Sequence, residues 1–454
     1  MTSYLAEITE DHLPIEVTLT SPEGRLGSVE LFLPTGILAS LNGRERCLLA
    51  SSVAVNYTST DSRTQLSIPP APVDARARDA LAHVMQMAAD AALVAGSGLF
   101  HANGDEAFSL ADTSESAAMA SSPPLPVGSE RRALLLASGG IDSLVAAHRL
   151  QREGMDVALL HVAGVNLDAP NELAGAQCVA DTLGLPLHVV EVEWRGLREF
   201  VGKRIGAVFD GFPTHNAIPF GRDLLLLALG GIVAKRLGAA NVCLAHEHEI
   251  WDRPPITALG RMIYRTELAS RGAREALNTV LRGFVHPQMN YFSPIADRTK
   301  YAVLQEAYQR FGDVLGRLSS CYWGHWCGLC PKCLTYGLLA SEYPGIALPF
   351  QRDPLTAYGE RIDLAEDIEG GPLWPMSRKQ MQSAAQIVGP KQTPLGGTLR
   401  EPLGLANMVV LSGLLEEGRL PRGTAFEQFR AQLYPGVKGQ SGVIREFLLR
   451  PQVV

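Results

Sequence analysis

Ser138-Gly139-Gly140-Ile141-Asp142-Ser143 is the stretch around which the chain is organised. Ahead of it, Ala133-Leu134-Leu135-Leu136-Ala137 is an unbroken apolar run, the pattern of a parallel strand buried on both faces. Behind it, Leu144-Val145-Ala146-Ala147-His148-Arg149-Leu150 spaces its apolar residues as a helix does. A strand, a glycine-pair turn and a helix start make a cradle for phosphate. Glycine lets the backbone approach the anion, and the open N–H groups of the first helical turn point at it. The hydroxyls of Ser138 and Ser143 can add donors, whereas the Asp142 carboxylate repels phosphate unless a cation lies between, which points to Mg²⁺ carried with a nucleotide. The string has no Gly-Lys-Ser/Thr ending, so it is not a Walker loop. The plainer alternative is a glycine-rich turn in an α/β domain that binds no nucleotide.

Outward from this loop, strand and helix alternate over residues 131–345. Val157 to Val162, Leu187 to Val192 and Asn241 to Ala245 read as further strands, with helices over Glu172 to Leu183 and Leu224 to Leu237. This predicts an α/β fold with a doubly wound parallel sheet, whose ligands sit at the carboxyl ends of the strands. Residues 1–108 read as a separate α+β unit. Its expected strands are Glu16 to Thr20, Ser28 to Leu33 and Val53 to Tyr57, and its long helix runs from an Asp74 cap to a stop at Gly96. Residues 109–130, small, polar and proline-rich, read as a linker. Residues 346–454 form an accessory segment with two short helical patterns, near Met408 to Glu417 and Thr424 to Leu433.

The 454 residues suffice for two or three domains, and 46% hydrophobic with 19% charged residues is a globular balance. A net charge of −7 provides no global attraction for nucleic acid, which argues against a tRNA-binding enzyme. The first residues lack the basic and apolar stretches of a signal peptide, and the longest apolar run, Leu224 to Ala234, is too short to span a bilayer. The expectation is a cytoplasmic protein with no membrane partner.

Four of the seven cysteines, Cys321, Cys327, Cys330 and Cys333, fall within thirteen residues, the last three as C-x2-C-x2-C. Such density suits a structural Zn²⁺ held by four thiolates. An iron–sulfur cluster takes the same ligands, and free thiols are a third possibility.

Ser-Gly-Gly-x-Asp-Ser resembles the signature of the PP-loop (HUP-like) ATP pyrophosphatases, which implies ATP held at Ala137, Ser138, Gly139, Gly140, Asp142 and Ser143. The loop followed by this cysteine cluster resembles the 7-cyano-7-deazaguanine synthase family (QueC type). Pro219-Phe220-Gly221-Arg222-Asp223, Ser293-Pro294-Ile295 with Thr299-Lys300, and Ser320-Cys321-Tyr322 also look like that family's segments. The resemblance implies an ATP-dependent carbon–nitrogen ligase that forms AMP and pyrophosphate, with 7-carboxy-7-deazaguanine as the activated acid. It also implies His161 near the adenosine, Arg222 on a phosphate or the substrate carboxylate, Lys300 on the α-phosphate, and zinc on the four cysteines. Bland roles remain open: a surface pair for Arg222 and Asp223, and a surface lysine for Lys300.

Where the family carries Gly-Val-Asn…Asp-x-Ser-Gly-Tyr-Pro-Asp-Cys-Arg, this chain has Ala245-His246-Glu247-His248-Glu249-Ile250-Trp251-Asp252-Arg253-Pro254-Pro255, and Asp223 stands in place of Asn. If extended, this segment puts His246 and His248 on one face, as substrate residues and a base for an amine, or as local strand-end caps. Long relatives with defence roles (QatC-like and CBASS-associated) imply transfer of the acyl group to the N-terminal amine of a partner protein. The alternatives are nitrile synthesis from ammonia, a tRNA-modifying enzyme, or a scaffold without catalysis.

Overall fold

The structure, a computed structural model, describes residues 2–8, 15–21, 24–32, 41–58, 64–67, 73–95, 123–165, 169–194, 196–197, 221–252, 256–258, 261–263 and 267–320, with 326, 328, 333, 336, 337, 340, 348–351 and 353. Along the chain these form β1 (Thr2–Ile8), β2 (Ile15–Ser21), β3 (Gly24–Phe32), α1 (Gly43–Thr58), β4 (Thr64–Ser67) and α2 (Ala75–Ala95). Next come β5 (Arg132–Leu136), α3 (Ile141–Arg152), β6 (Asp156–Ala163), α4 (Ala169–Leu183), β7 (Leu187–Glu193), α5 (Arg222–Arg236) and β8 (Asn241–Leu244). Then follow α6 (His248–Trp251), β9 (Ile256–Ala258), β10 (Arg261–Ile263), α7 (Arg274–Phe284), β11 (Asn290–Phe292) and α8 (Lys300–Phe311).

Nine strands share one sheet in the order β11-β8-β5-β6-β7-β3-β2-β1-β4, and β9 and β10 form a separate antiparallel pair. From β11 to β7 all neighbours are parallel. The chain order reverses between β5 and β8, so the α/β reading holds and the crevice of a doubly wound sheet opens at that point. The unbroken apolar run of β5 is explained by cover on both faces. Leu134 and Leu136 pack with α5 and α7, while Ala133, Leu135 and Ala137 pack with α3, α4 and α8. The sequence pattern stopped at four strands in this part; β11, only three residues long, is the fifth.

The front stretch does not keep a sheet of its own. β3 pairs antiparallel with β7, through Glu30 to Glu193, Leu31 to Val192 and Phe32 to Glu191. Helix α1 packs on α5 and α2 on α7. Glu45 of α1 is fully buried and accepts hydrogen bonds from Lys235 Nζ at 2.8 Å and Arg236 Nη2 at 3.2 Å, both at the end of α5.

The strand expected over Val53 to Tyr57 is instead the last part of α1. Its β-branched residues are overruled by a strong helix start: Asn42 Oδ1 accepts the Glu45 N–H at 2.9 Å while Glu45 Oε2 accepts the Asn42 N–H at 3.1 Å, a reciprocal capping box. The α2 cap is where the sequence puts it, with Asp74 Oδ1 accepting the Ala77 N–H at 2.7 Å. The end of the linker is pinned to the turn after α7. Pro123 O accepts from His286 Nε2 at 2.9 Å, and the Leu125 N–H donates to Gln288 Oε1 at 2.9 Å. The two helical patterns of residues 346–454 lie outside the described residues.

Candidate functional site

The loop after β5 keeps its shape through close packing. Gly139 has φ +75°, and a Cβ there would meet Ala176 N at 2.3 Å and Glu172 O at 2.5 Å, both backbone atoms of α4. Only glycine fits such an approach. On its other flank Gly139 O accepts the Ser319 N–H at 2.9 Å, and the Ile141 N–H donates to Ser320 Oγ at 3.2 Å. Gly140 precedes α3 in an extended conformation with no side-chain cap. Among the described residues, the backbone N–H groups of Ser138, Gly139, Gly140, Asp142 and Ser143 have no partner. Amides left open together at a strand end and helix start are the physical basis of an anion site.

The loop's Asp142 meets a buried lysine. Thr299 caps α8, its Oγ1 accepting the Ala302 N–H at 3.2 Å, and so turns Lys300 inward as the first helical residue. Lys300 is 4% exposed, which rules out the surface-lysine alternative. Its Nζ donates to both oxygens of Asp142, at 2.7 and 2.5 Å, and lies 3.8 Å from Glu247 Oε1. Burial pulls the ammonium pKa down, but the carboxylates of Asp142 and Glu247 outweigh it and leave the group well above its usual value. Glu247 is 3% exposed. It stands in the segment that departs from the synthase pattern, and nothing local in the sequence marks a glutamate as the partner of a lysine 53 positions later.

His161 is buried beneath the loop. Its Nδ1 donates to Ala137 O at 3.0 Å, which leaves Nε2 as a bare acceptor with no partner among the described residues. Arg222 and Asp223 begin α5, with Arg222 Nε and Nη2 each 3.3 Å from Asp223 Oδ1. His246 follows β8, its backbone gripped at both ends by Ser293 Oγ, which accepts the His246 N–H at 3.1 Å and donates to its C=O at 2.7 Å. Burial holds the imidazole below its ordinary pKa; Asp223 and Asp142 push it up and Arg222 pushes it down, so these groups share one electrostatic environment. His246 Nδ1 is buried without a partner among the described residues.

His248 does not join it on an extended face. The chain turns into α6 at that residue, the His248 N–H donates to Arg298 O at 2.7 Å, and the half-exposed ring pairs with Asp252 at 3.1 Å. Asp252 is in turn held by Arg271. The two rings thus have different neighbours, Asp223, Arg222 and Asp142 around His246 and Asp252 at His248. Of the expected zinc ligands, Cys333 is fully buried, and Cys321, Cys327 and Cys330 lie outside the described residues. Among the described residues no group of three or more His, Cys, Asp or Glu side chains could hold a metal ion. No helix is long and apolar enough to cross a membrane.

Residues 132–337 match the family described as Queuosine biosynthesis protein QueC. The chain is 29% identical over 128 residues to a 7-cyano-7-deazaguanine synthase of Methanothrix thermoacetophila, covering 26% of this chain and 56% of that protein. It is 28% identical over 215 residues to a 7-cyano-7-deazaguanine synthase of Rhizorhabdus wittichii, covering 45% of this chain and 88% of that protein. It is also 30% identical over 146 residues to a tRNA-specific 2-thiouridylase of Methylorubrum extorquens, covering 30% of this chain and 37% of that protein. Apart from the Rhizorhabdus protein, the chain thus spans about half or less of these relatives' length. The matched stretch is an α/β domain similar to the QueC-type synthases.

Proposed function

We propose that the chain uses ATP to adenylate the carboxylate of 7-carboxy-7-deazaguanine and passes the acyl group to an amine, the N-terminal amine of a partner protein in an antiphage defence system. The observation that carries the ATP step is the set of five amides between Ser138 and Ser143 that have no partner among the described residues, backed by the Lys300 ammonium. A carboxylate is a poor acyl donor until its oxygen is converted to a better leaving group. In this reading a substrate carboxylate oxygen attacks the α-phosphorus, pyrophosphate leaves into the amide cradle, and Lys300 offsets charge on the phosphate as that bond breaks. The acyl carbon is then attacked by the amine, and AMP departs. His246, neutral near pH 7 because burial lowers its pKa, takes the proton that the amine loses. Arg222 and Asp223 flank the acid and the incoming amine.

Mg²⁺ fits this donor set. Asp142 is partly exposed at the loop, and Lys300 has a second carboxylate, Glu247, to face if Asp142 turns toward a cation. Asp142 would hold the ion together with the phosphates, in keeping with the preference of magnesium for one or two carboxylates plus phosphate oxygens, and the ion would supply charge neutralisation there. Cys321, Cys327, Cys330 and Cys333 would hold a structural zinc. The protein acceptor is supported by the segment Ala245 to Pro255, which departs from the synthase pattern, and by the length of chain outside residues 132–337.

The test is pyrophosphate release from ATP with 7-carboxy-7-deazaguanine, followed by mass spectrometry of candidate acceptors. Wild type is expected to release pyrophosphate, Asp142→Ala to lose at least a hundredfold, and a partner protein to gain one acyl-deazaguanine mass. Free nitrile from ammonia would point instead to the biosynthetic synthase. Release that depends on tRNA would overturn the acid assigned here.

A further inference from the structure

Ser320 lies 179 positions beyond the loop in sequence, yet its hydroxyl is the one side-chain group that bonds a loop amide among the described residues. It accepts the Ile141 N–H at 3.2 Å and is 2% exposed. A Cβ built on Gly140 would lie 3.7 Å from Ser320 Oγ and 3.9 Å from Ser138 Oγ, so both serine hydroxyls sit on the same side of that glycine. The neighbouring Ser319 fixes the approach, its N–H donating to Gly139 O at 2.9 Å and its carbonyl coming within 3.1 Å of the Gly140 Cβ position.

A hydroxyl has one proton to give and two lone pairs to receive with. Ser320 Oγ uses a lone pair on Ile141, and its own proton has no acceptor among the described residues. A donor so deeply buried costs free energy unless a partner arrives. The amides around it are open in the same way, so one acceptor-rich guest would satisfy them together. Phosphate oxygens are acceptors only.

We infer that Ser320 is a phosphate-binding residue: its hydroxyl, oriented by the Ile141 N–H, donates to the pyrophosphate portion of the nucleotide. This rests on the ATP reading above and adds a ligand from the threshold of the cysteine cluster. The bond to Ile141 aims the proton, so the group is delivered ready rather than recruited when the nucleotide binds.

The test compares binding of ATP, inorganic pyrophosphate and AMP by the full chain, using calorimetry. A charge-assisted hydrogen bond lost from the phosphates should weaken ATP and pyrophosphate about tenfold or more in Ser320→Ala, with AMP affinity unchanged. Ser320→Thr, which keeps the hydroxyl, should bind all three as wild type does. If Ser320→Ala binds ATP normally, or loses AMP as fully as ATP, the inference is wrong, the second result marking a merely structural serine. If Ser320→Ala does not fold, the threonine variant decides: normal melting with tenfold weaker ATP binding would overturn the inference, and wild-type affinity would support it. Failure of wild type to bind ATP would sink the parent reading instead.

Discussion

Lys300 has two carboxylates to answer and a single charge with which to do it. Lys300 is buried and Asp142 is only a quarter exposed, so removing the ammonium takes a closely held partner from that carboxylate and a nearby positive charge from the buried Glu247. Lys300→Met is expected to destabilise the protein by about 3 kcal/mol, the low end for a buried pair because Asp142 keeps some access to water, read from urea unfolding. A second expectation concerns His246. Its folded-state pKa is lowered by burial, so as pH falls the unfolded chain binds the proton first. The stability of the neutral ring is whole above about pH 6.5 and drains as pH falls toward the lower folded value, at up to about 1.4 kcal/mol per pH unit. Unfolding curves from pH 7 to 5 should show this slope, and His246→Gln should reduce it, the remainder coming from His148 and His188, whose pKa values burial also lowers. Lys300 and His246 were both legible as types in the sequence. Glu247 was not, since its meaning depends on a lysine brought to it by the fold.

At the level of elements, the loop is gripped between α4 and the segment that ends at Ser320. Gly175 is the contact point on the helix: a Cβ there would meet Gly139 O at 2.5 Å and Ser319 N at 2.8 Å. Alanine in mid-helix ordinarily gains about 1 kcal/mol over glycine. Here the clash with backbone outweighs that gain, since overpacking costs about 1–3 kcal/mol and nothing flexible can move aside. Gly175→Ala is therefore expected to lower stability and to weaken ATP binding, checked by thermal melts with and without nucleotide. The glycine-pair turn was readable because its causes are local, a strand before it and a helix after. Val53 to Tyr57 misled because the capping box at Asn42 and Glu45 outweighs β propensity. Three-residue strands such as β11 carry too little pattern to be seen alone.

At the scale of the molecule, the front of the chain is stitched to the rest by β3 on β7 and by Glu45 on Lys235 and Arg236. Glu45→Gln should cost about 3 kcal/mol, at the low end for a buried pair, because both cations keep some access to water. Chemical denaturation of the full chain would measure it. If the four cysteines hold zinc as proposed, metal analysis should find one equivalent per chain, lost in Cys333→Ser. A consequence for biosynthesis follows from the closure of the loop by Ser319 and Ser320. While the nascent chain grows on the ribosome, the glycine turn emerges long before its clasp does. At 5–20 residues per second it waits roughly ten to forty seconds for the far wall to arrive. A ribosome stalled before residue 320 displays the glycine turn without the two serines that hold it from the far side.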